Sequence, residues 1–133
     1  MIQAILKIIE QGHRFLVASH EGPDGDAIAS TLALVQALRY MGKEVVAYNL
    51  DMVPAAFDFL PGIETLVSTL PSDAHFDAGF ILDSGELRRA GTHLKDRCAL
   101  LVNIDHHPHS EDFGEVRYVD EGASATGTLV YRI

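Results

Sequence analysis

Apolar residues along the chain follow two patterns, one typical of helices and one typical of buried strands. Near the start they recur at helical spacing, which predicts an amphipathic helix over residues 2–11 that stops at Gly12. A longer helical pattern opens near Asp26 and ends at Gly42, and a third begins near Ser124. These three segments are the longer predicted helices.

Short apolar runs between the helical segments predict the strands. They cover residues 15–18, 44–48, 78–82 and 99–104, with residues 116–119 as a fifth. The proline-containing segment 51–72 predicts a loop with short helices around residues 55–60 and 64–69. Because strands that alternate with helices build parallel sheets, we predict an α/β fold. It has three layers and a mostly parallel, doubly wound sheet of about five strands.

Composition is ordinary for one globular domain of 133 residues, with 47% hydrophobic and 22% charged residues. A single cysteine excludes a disulfide framework, and neither a membrane-spanning run nor a signal peptide is visible, so the expected location is the cytoplasm. The net charge of −9 argues against a broad nucleic-acid-binding face. It fits a cation site and ordinary solubility equally well.

Polar residues follow three of the predicted strands at the point where each strand ends. His20, Asp24 and Asp26 follow the first strand, Asp83 follows the third, and the Asp-His-His triplet 105–107 follows the fourth. Carboxyl ends of parallel strands meet at one edge, where ligands bind in open α/β sheets. Oxygen and imidazole ligands without thiolate suit Mn²⁺ or Mg²⁺. The pattern predicts a metal-dependent hydrolase.

The order of these residues predicts a two-metal site. Asp83 is placed by topology to bridge two divalent cations, for which the residues leave manganese and magnesium both open. His20 and Asp24 complete the first ion, and Asp26 and His106 serve the second. The expected nucleophile is a hydroxide between the two ions, which attacks a phosphorus atom in line.

Neighbouring polar residues are candidates for roles around the metals. His107 is predicted to bond a phosphoryl oxygen or to steady the leaving group, and Asp105 to hold a histidine in its tautomer. Arg88 and Arg89 are candidates for phosphate contact, although a solvated helix start is the more common explanation for such a pair. The run 124–126 is predicted to cap a helix, with amides that would also receive an anion.

Four motifs in this order are similar to those of the DHH (RecJ-like) phosphoesterase superfamily. They lie at residues 19–27, 82–91, 103–108 and 123–127. Their style most resembles the nanoRNase branch of bifunctional oligoribonucleases and pAp phosphatases. The resemblance implies a manganese-dependent exonuclease that releases 5′-mononucleotides from very short RNA and removes the 3′-phosphate of pAp. It also places Arg89 on the family's usual arginine.

The resemblance covers the N-terminal part of such proteins. The family's next motif, which supplies a further aspartate to the second ion, and its C-terminal DHHA1 substrate-binding domain are absent from the 133 residues. Ser110 and Ala29 also depart from the common family residues. We therefore expect residues 1–133 to be the N-terminal DHH catalytic domain of a longer protein. The isolated chain is expected to be weakly active or inactive, and a homodimer is possible.

Two other functions compete with this interpretation. A noncatalytic module would use the acidic turn to bind a metal or a nucleotide only for regulation or assembly. An inorganic pyrophosphatase is disfavoured only by Gly25, where that branch usually carries threonine. Substitution of Asp83 separates the first alternative from an enzyme, since it abolishes hydrolysis only if hydrolysis occurs.

Overall fold

A computed structural model describes all 133 residues as five helices and a six-stranded sheet. The helices are α1 (Ile2–Gln11), α2 (Gly25–Tyr40), α3 (Leu87–Ala90), α4 (Leu94–Arg97) and α5 (Thr126–Arg132). The strands are β1 (Arg14–Ser19), β2 (Glu44–Tyr48), β3 (Leu66–Val67), β4 (Ala78–Leu82), β5 (Leu101–Asp105) and β6 (Val116–Val119). The longest helix has 16 residues, and none is long and apolar enough to cross a membrane.

The strand order is β3-β2-β1-β4-β5-β6, and every neighbouring pair is parallel. The chain therefore builds outward from β1 through β3 and then returns to the other side of β1 with β4. In the central pair of strands, β1 and β4, the last paired residues are Ser19 and Leu82. The point where the winding direction reverses leaves a crevice at the carboxyl ends of β1 and β4. The predicted doubly wound α/β fold is confirmed.

Alternate side chains of the strands belong to two hydrophobic clusters, one on each face of the sheet. In β1, Phe15 and Val17 pack with α1, α2 and α5, whereas Leu16 and Ala18 pack with α3 and α4. The inner strands β4 and β5 are buried along their whole length. Strands covered on both faces read as unbroken apolar runs, which is why they were visible in the sequence.

The structure differs from the sequence predictions in local details. The sheet has six strands, because the two-residue strand β3 replaces the helix predicted over residues 64–69. Only single 3₁₀ turns form at Ala55–Phe57 and Ile63–Thr65. A two-residue edge strand has no periodicity of its own, and its place is decided by pairing with β2. The short helices α3 and α4 are similarly too brief to leave a helical pattern.

Candidate metal centre

The predicted metal ligands and the Asp-His-His triplet lie together at the carboxyl edge, in the crevice beside β1 and β4. His20 follows β1, Asp83 follows β4, and Asp105 is the last residue of β5. Asp24 is the N-cap of α2, where its Oδ1 accepts a hydrogen bond of 3.0 Å from the Ala27 amide. Asp26 lies in the first turn of the same helix. The sheet topology therefore gathers residues from three strands and one helix start.

One cluster contains His20, Asp24 and Asp83. The Nε2 atom of His20 lies 3.5 Å from Asp83 Oδ2 and 3.7 Å from Asp24 Oδ1. Ligands that bind a metal at about 2.1 Å lie about 3.0 to 3.4 Å apart around the ion. One ligand atom from each of the three residues falls within 4.8 Å of the others. The cluster needs only small side-chain shifts to surround a cation.

The second cluster uses the other oxygen of Asp83. His106 Nε2 lies 3.4 Å from Asp83 Oδ1 and 3.5 Å from Asp26 Oδ2. The two carboxylate oxygens of Asp83 thus face two different histidines, while its side chain is only 2% exposed. That is the arrangement expected of a bridging carboxylate.

Both histidines are oriented by backbone carbonyl groups. His20 Nδ1 donates to the Glu21 carbonyl at 2.6 Å, and His106 Nδ1 donates to the Ala123 carbonyl at 3.2 Å. With the proton on Nδ1, Nε2 keeps its lone pair and points toward the carboxylates. Hydrogen bonding to Asp83 raises the pKa of His20 above its ordinary value, although burial opposes this. A cation would take the place of the extra proton.

Asp26 is held by the first turn of α5. Its carboxylate accepts hydrogen bonds from the amides of Thr126 (2.9 Å) and Gly127 (3.0 Å) and from the Ser30 hydroxyl (3.0 Å). Burial alone would raise the pKa of Asp26, but these donors hold it below its ordinary value. The N-cap of α5 is Ala125, inside the predicted run 124–126. Because alanine has no polar side chain to cap the helix, the Asp26 carboxylate binds the first amides instead.

Asp83 has an unusual backbone conformation. Its φ of 58° is left-handed, a region that aspartate tolerates better than most residues but that still costs free energy. The buried Thr126 hydroxyl donates to Asp83 Oδ1 at 3.0 Å. Thr126 therefore contacts the two carboxylates assigned to the second ion, one through its amide and one through its hydroxyl. The sequence placed this residue only in a helix start.

His107 forms a pair with Asp105 that separates it from the ligands. Its Nδ1 lies 2.7 Å from Asp105 Oδ1 and 3.7 Å from Asp83 Oδ1. Since the shorter contact needs a proton on Nδ1, that atom has no lone pair for a metal, although its position beside Asp83 and His106 would otherwise suit one. The ring is 44% exposed, which leaves Nε2 available to a substrate. Asp105 thus accepts the hydrogen bond that orients the His107 ring.

The two arginines take different places. Arg89 lies beside His20, with Nη2 3.4 Å from Nδ1, but both atoms are donors, so this is a contact and not a hydrogen bond. Arg88 has its Nε 2.6 Å from a Glu86 carboxylate oxygen and is 67% exposed. No hydrogen bond or ion pair links Arg88 to the clustered residues. The structure brings Arg89 to the site and leaves Arg88 at the surface.

The donor set fits divalent cations. It contains imidazole nitrogens with free lone pairs and several carboxylates within a few ångströms, with no thiolate, and such groups are ordinary ligands of divalent cations. Asp105 Oδ2 is in addition a buried carboxylate oxygen without a hydrogen-bond partner. Clustered carboxylates repel one another unless a cation neutralises them.

A family model described as the N-terminal domain of the DHH family matches residues 14–133. The chain belongs to the DHH family. All four motifs that carried the resemblance lie inside the matched residues. The family prediction is confirmed.

Curated relatives and a solved structure agree with this membership. The bifunctional oligoribonuclease and PAP phosphatase NrnA of Thermus thermophilus is 37% identical, over 98% of this chain and 38% of its own length. The protein of the same name from Bacillus subtilis is 22% identical, over 97% and 40%. An exopolyphosphatase-related protein from Bacteroides fragilis superposes with a TM-score of 0.89 at 27% identity, over 98% and 42%. This DHH domain spans about two fifths of the length of these proteins.

Proposed function

We propose that this chain carries the two-metal centre of a phosphoesterase. The observation that carries the proposal is Asp83, whose two oxygens face His20 and His106 at 3.5 and 3.4 Å. His20 and Asp24 would hold one cation, and Asp26 and His106 would hold the other, with Asp83 shared. Bound cations would supply an activated water molecule and neutralise phosphate charge.

The remaining residues act on the substrate in this proposal. The Nδ1 proton of His107 is donated in a hydrogen bond to Asp105. The exposed Nε2 can therefore bond a phosphoryl oxygen or deliver a proton to the leaving oxygen. Arg89 lies next to His20 and supplies positive charge for a phosphate group. Arg88 is the weaker candidate, because Glu86 already pairs with it at the surface.

The proposed substrates are short oligonucleotides and pAp, and the proposed metal is Mn²⁺. The names of the two NrnA relatives support the substrates, and the mixed nitrogen and oxygen donors support the metal. We propose that full activity requires a longer protein in which a DHHA1 domain follows this domain, and that this protein acts in the cytoplasm.

A metal titration combined with a hydrolysis assay tests the proposal. Mn²⁺ binding to the 133-residue chain is measured by calorimetry, and release of phosphate from pAp or of mononucleotide from a dinucleotide is measured on the chain and on the longer protein. Asp83→Asn is expected to abolish both, because asparagine tolerates the left-handed conformation but lacks the bridging charge. Asp73→Asn, at an exposed aspartate outside the site, is the matched control.

Other outcomes identify the competing functions. Tight Mn²⁺ binding without hydrolysis by the longer protein would favour a noncatalytic module. Hydrolysis of pyrophosphate in preference to both nucleotide substrates would replace the proposed substrate class. Absence of Mn²⁺ binding by the wild-type chain, or equal binding by Asp83→Asn, would overturn the metal centre itself.

A further inference from the structure

We propose that Asp51 is a positioning residue for His20 and acts through the peptide group between Glu21 and Gly22. The inference rests on the proposed function, in which His20 binds a metal through Nε2. Asp51 lies in the loop after β2 and belongs to none of the four sequence motifs. Asp51 contacts the turn after His20 through the Gly22 amide.

A single peptide group lies between the two side chains. Its N–H, from Gly22, donates to Asp51 Oδ2 at 2.6 Å. Its carbonyl, from Glu21, accepts from His20 Nδ1 at 2.6 Å. Since the structure has no cis peptide bonds, the N–H and C=O of this group point in opposite directions. The carboxylate and the imidazole are therefore connected end to end through one peptide dipole.

The physical effect of this arrangement is polarisation. A carboxylate that accepts from an amide N–H draws the N–H dipole toward itself and increases the negative charge on the carbonyl oxygen of the same peptide. A more negative Glu21 oxygen binds the Nδ1 proton of His20 more strongly. Partners that hold the Nδ1 proton of a ligating histidine fix its orientation and raise the basicity of Nε2. Asp51 thus strengthens Nε2 as a ligand without touching the ring.

The neighbouring peptide is held by equally specific contacts. The buried Asn49 side chain donates to the His20 carbonyl at 2.9 Å, and the Glu21 amide donates to the Arg89 carbonyl at 2.7 Å. Asn49 Oδ1 also accepts from the Asp51 amide at 2.9 Å, which positions the aspartate. Every N–H and C=O of the two peptides after His20 is therefore engaged. The turn is thus held by the loop after β2 on one side and by α3 on the other.

Two substitutions separate charge from hydrogen bonding. Asp51→Asn keeps an amide oxygen that can accept from Gly22 but removes the charge, and Asp51→Ala removes both. A direct partner of a ligating histidine typically changes metal affinity about 10- to 100-fold, and Asp51 acts one hydrogen bond further away on an exposed side chain. We expect Mn²⁺ to bind about 3-fold more weakly to Asp51→Asn and about 10-fold more weakly to Asp51→Ala. Asp73→Asn is the control and is expected to bind like the wild type.

NMR of the metal-free protein tests the relay without hydrolysis. The Gly22 amide proton is expected to move upfield in both variants, and the ¹⁵N shifts of His20 are expected to show weaker hydrogen bonding at Nδ1. A purely structural role would lower the melting temperature and shift the Gly22 amide, which contacts Asp51 directly, but would leave the ¹⁵N shifts of His20 unchanged in the folded protein. If Asp51→Ala does not fold, Asp51→Asn decides alone.

The outcomes distinguish this inference from the proposed function. Unchanged His20 ¹⁵N shifts in Asp51→Asn would overturn the relay, whatever the protein hydrolyses. Wild-type Mn²⁺ affinity in Asp51→Asn would overturn its effect on the metal. Failure of the wild-type chain to bind Mn²⁺, with the signals shifted as expected, would instead count against the proposed function and leave the hydrogen-bond relay standing.

Discussion

Thr126→Val is expected to destabilise the domain through Asp83. The substitution keeps the shape of the side chain and the backbone amide that binds Asp26, but removes the 3.0 Å hydrogen bond to Asp83 Oδ1. The Asp83 side chain is 2% exposed, so water cannot easily replace the lost donor. A hydrogen bond to a buried charged group contributes about 1.5 to 3 kcal/mol to stability.

The expected shift in melting temperature follows from chain length. Unfolding entropy of about 2.1 cal/mol/K per residue gives about 0.28 kcal/mol/K for 133 residues. A loss of about 2 kcal/mol therefore lowers the melting temperature by about 7 °C. Differential scanning calorimetry in the presence of EDTA measures this shift without interference from bound metal. Mn²⁺ binding to the folded variant is also expected to weaken, because Asp83 loses the contact that fixes one oxygen.

Thr31→Val is the matched control. Thr31 is equally buried, but its hydroxyl donates to the Ala27 carbonyl at 2.8 Å, a neutral acceptor within α2. A neutral hydrogen bond contributes about 1 kcal/mol, so the expected decrease is about 3 to 4 °C with unchanged metal binding. If Thr126→Val melts no lower than Thr31→Val, the hydroxyl does not stabilise a charged Asp83, and the reasoning fails.

Two further predictions concern groups far from the metal centre. The Arg14 and His13 amides hold the pKa of Asp77 below its ordinary value, so its ionised form stabilises the fold above the unfolded-state pKa and that contribution disappears as the pH falls through the lower folded-state pKa. In urea unfolding, Asp77→Asn should lower the free energy of unfolding by up to about 1 kcal/mol at pH 6 and by much less at pH 2, after allowance for solvent screening. Equal decreases at the two pH values would contradict this prediction. Burial raises the pKa of the Cys98 thiol to about 12, so Cys98 should react with a thiol reagent at pH 8 more than about a thousandfold more slowly than in the urea-unfolded chain. Comparable labelling rates in the two states would show that the thiol is not protected.

The elements that the sequence predicted well are those whose pattern is local. The strands that became β1 and β4 were visible because burial on both faces demands unbroken apolar runs, and α2 showed a long helical pattern. β3 was missed because its two residues take their conformation from pairing with β2. The predicted metal ligands followed from strand ends alone, since parallel strands bring their carboxyl ends to one edge.

The contacts that support those ligands could not be predicted in the same way. Thr126 was noticed only as a helix start, although it holds Asp26 and Asp83 from 100 and 43 residues away along the chain. Asp51 carried no signal, because an aspartate in a loop is ordinary and its partner Gly22 lies 29 residues earlier. Such pairs depend on how α5 and the β2 loop are placed, and no periodicity in the chain records that placement.

Sequence by itself determined the fold class, the family and the residues that meet at the sheet edge, since each depends on hydrophobic pattern or on motifs of adjacent residues. Tertiary structure alone decided the geometry of the centre. It gave the two Asp83 oxygens to different histidines, paired His107 with Asp105, and separated Arg89 from Arg88. The physical reason is that ligand strength and orientation depend on hydrogen bonds a few ångströms long, and these join residues that are distant in the chain.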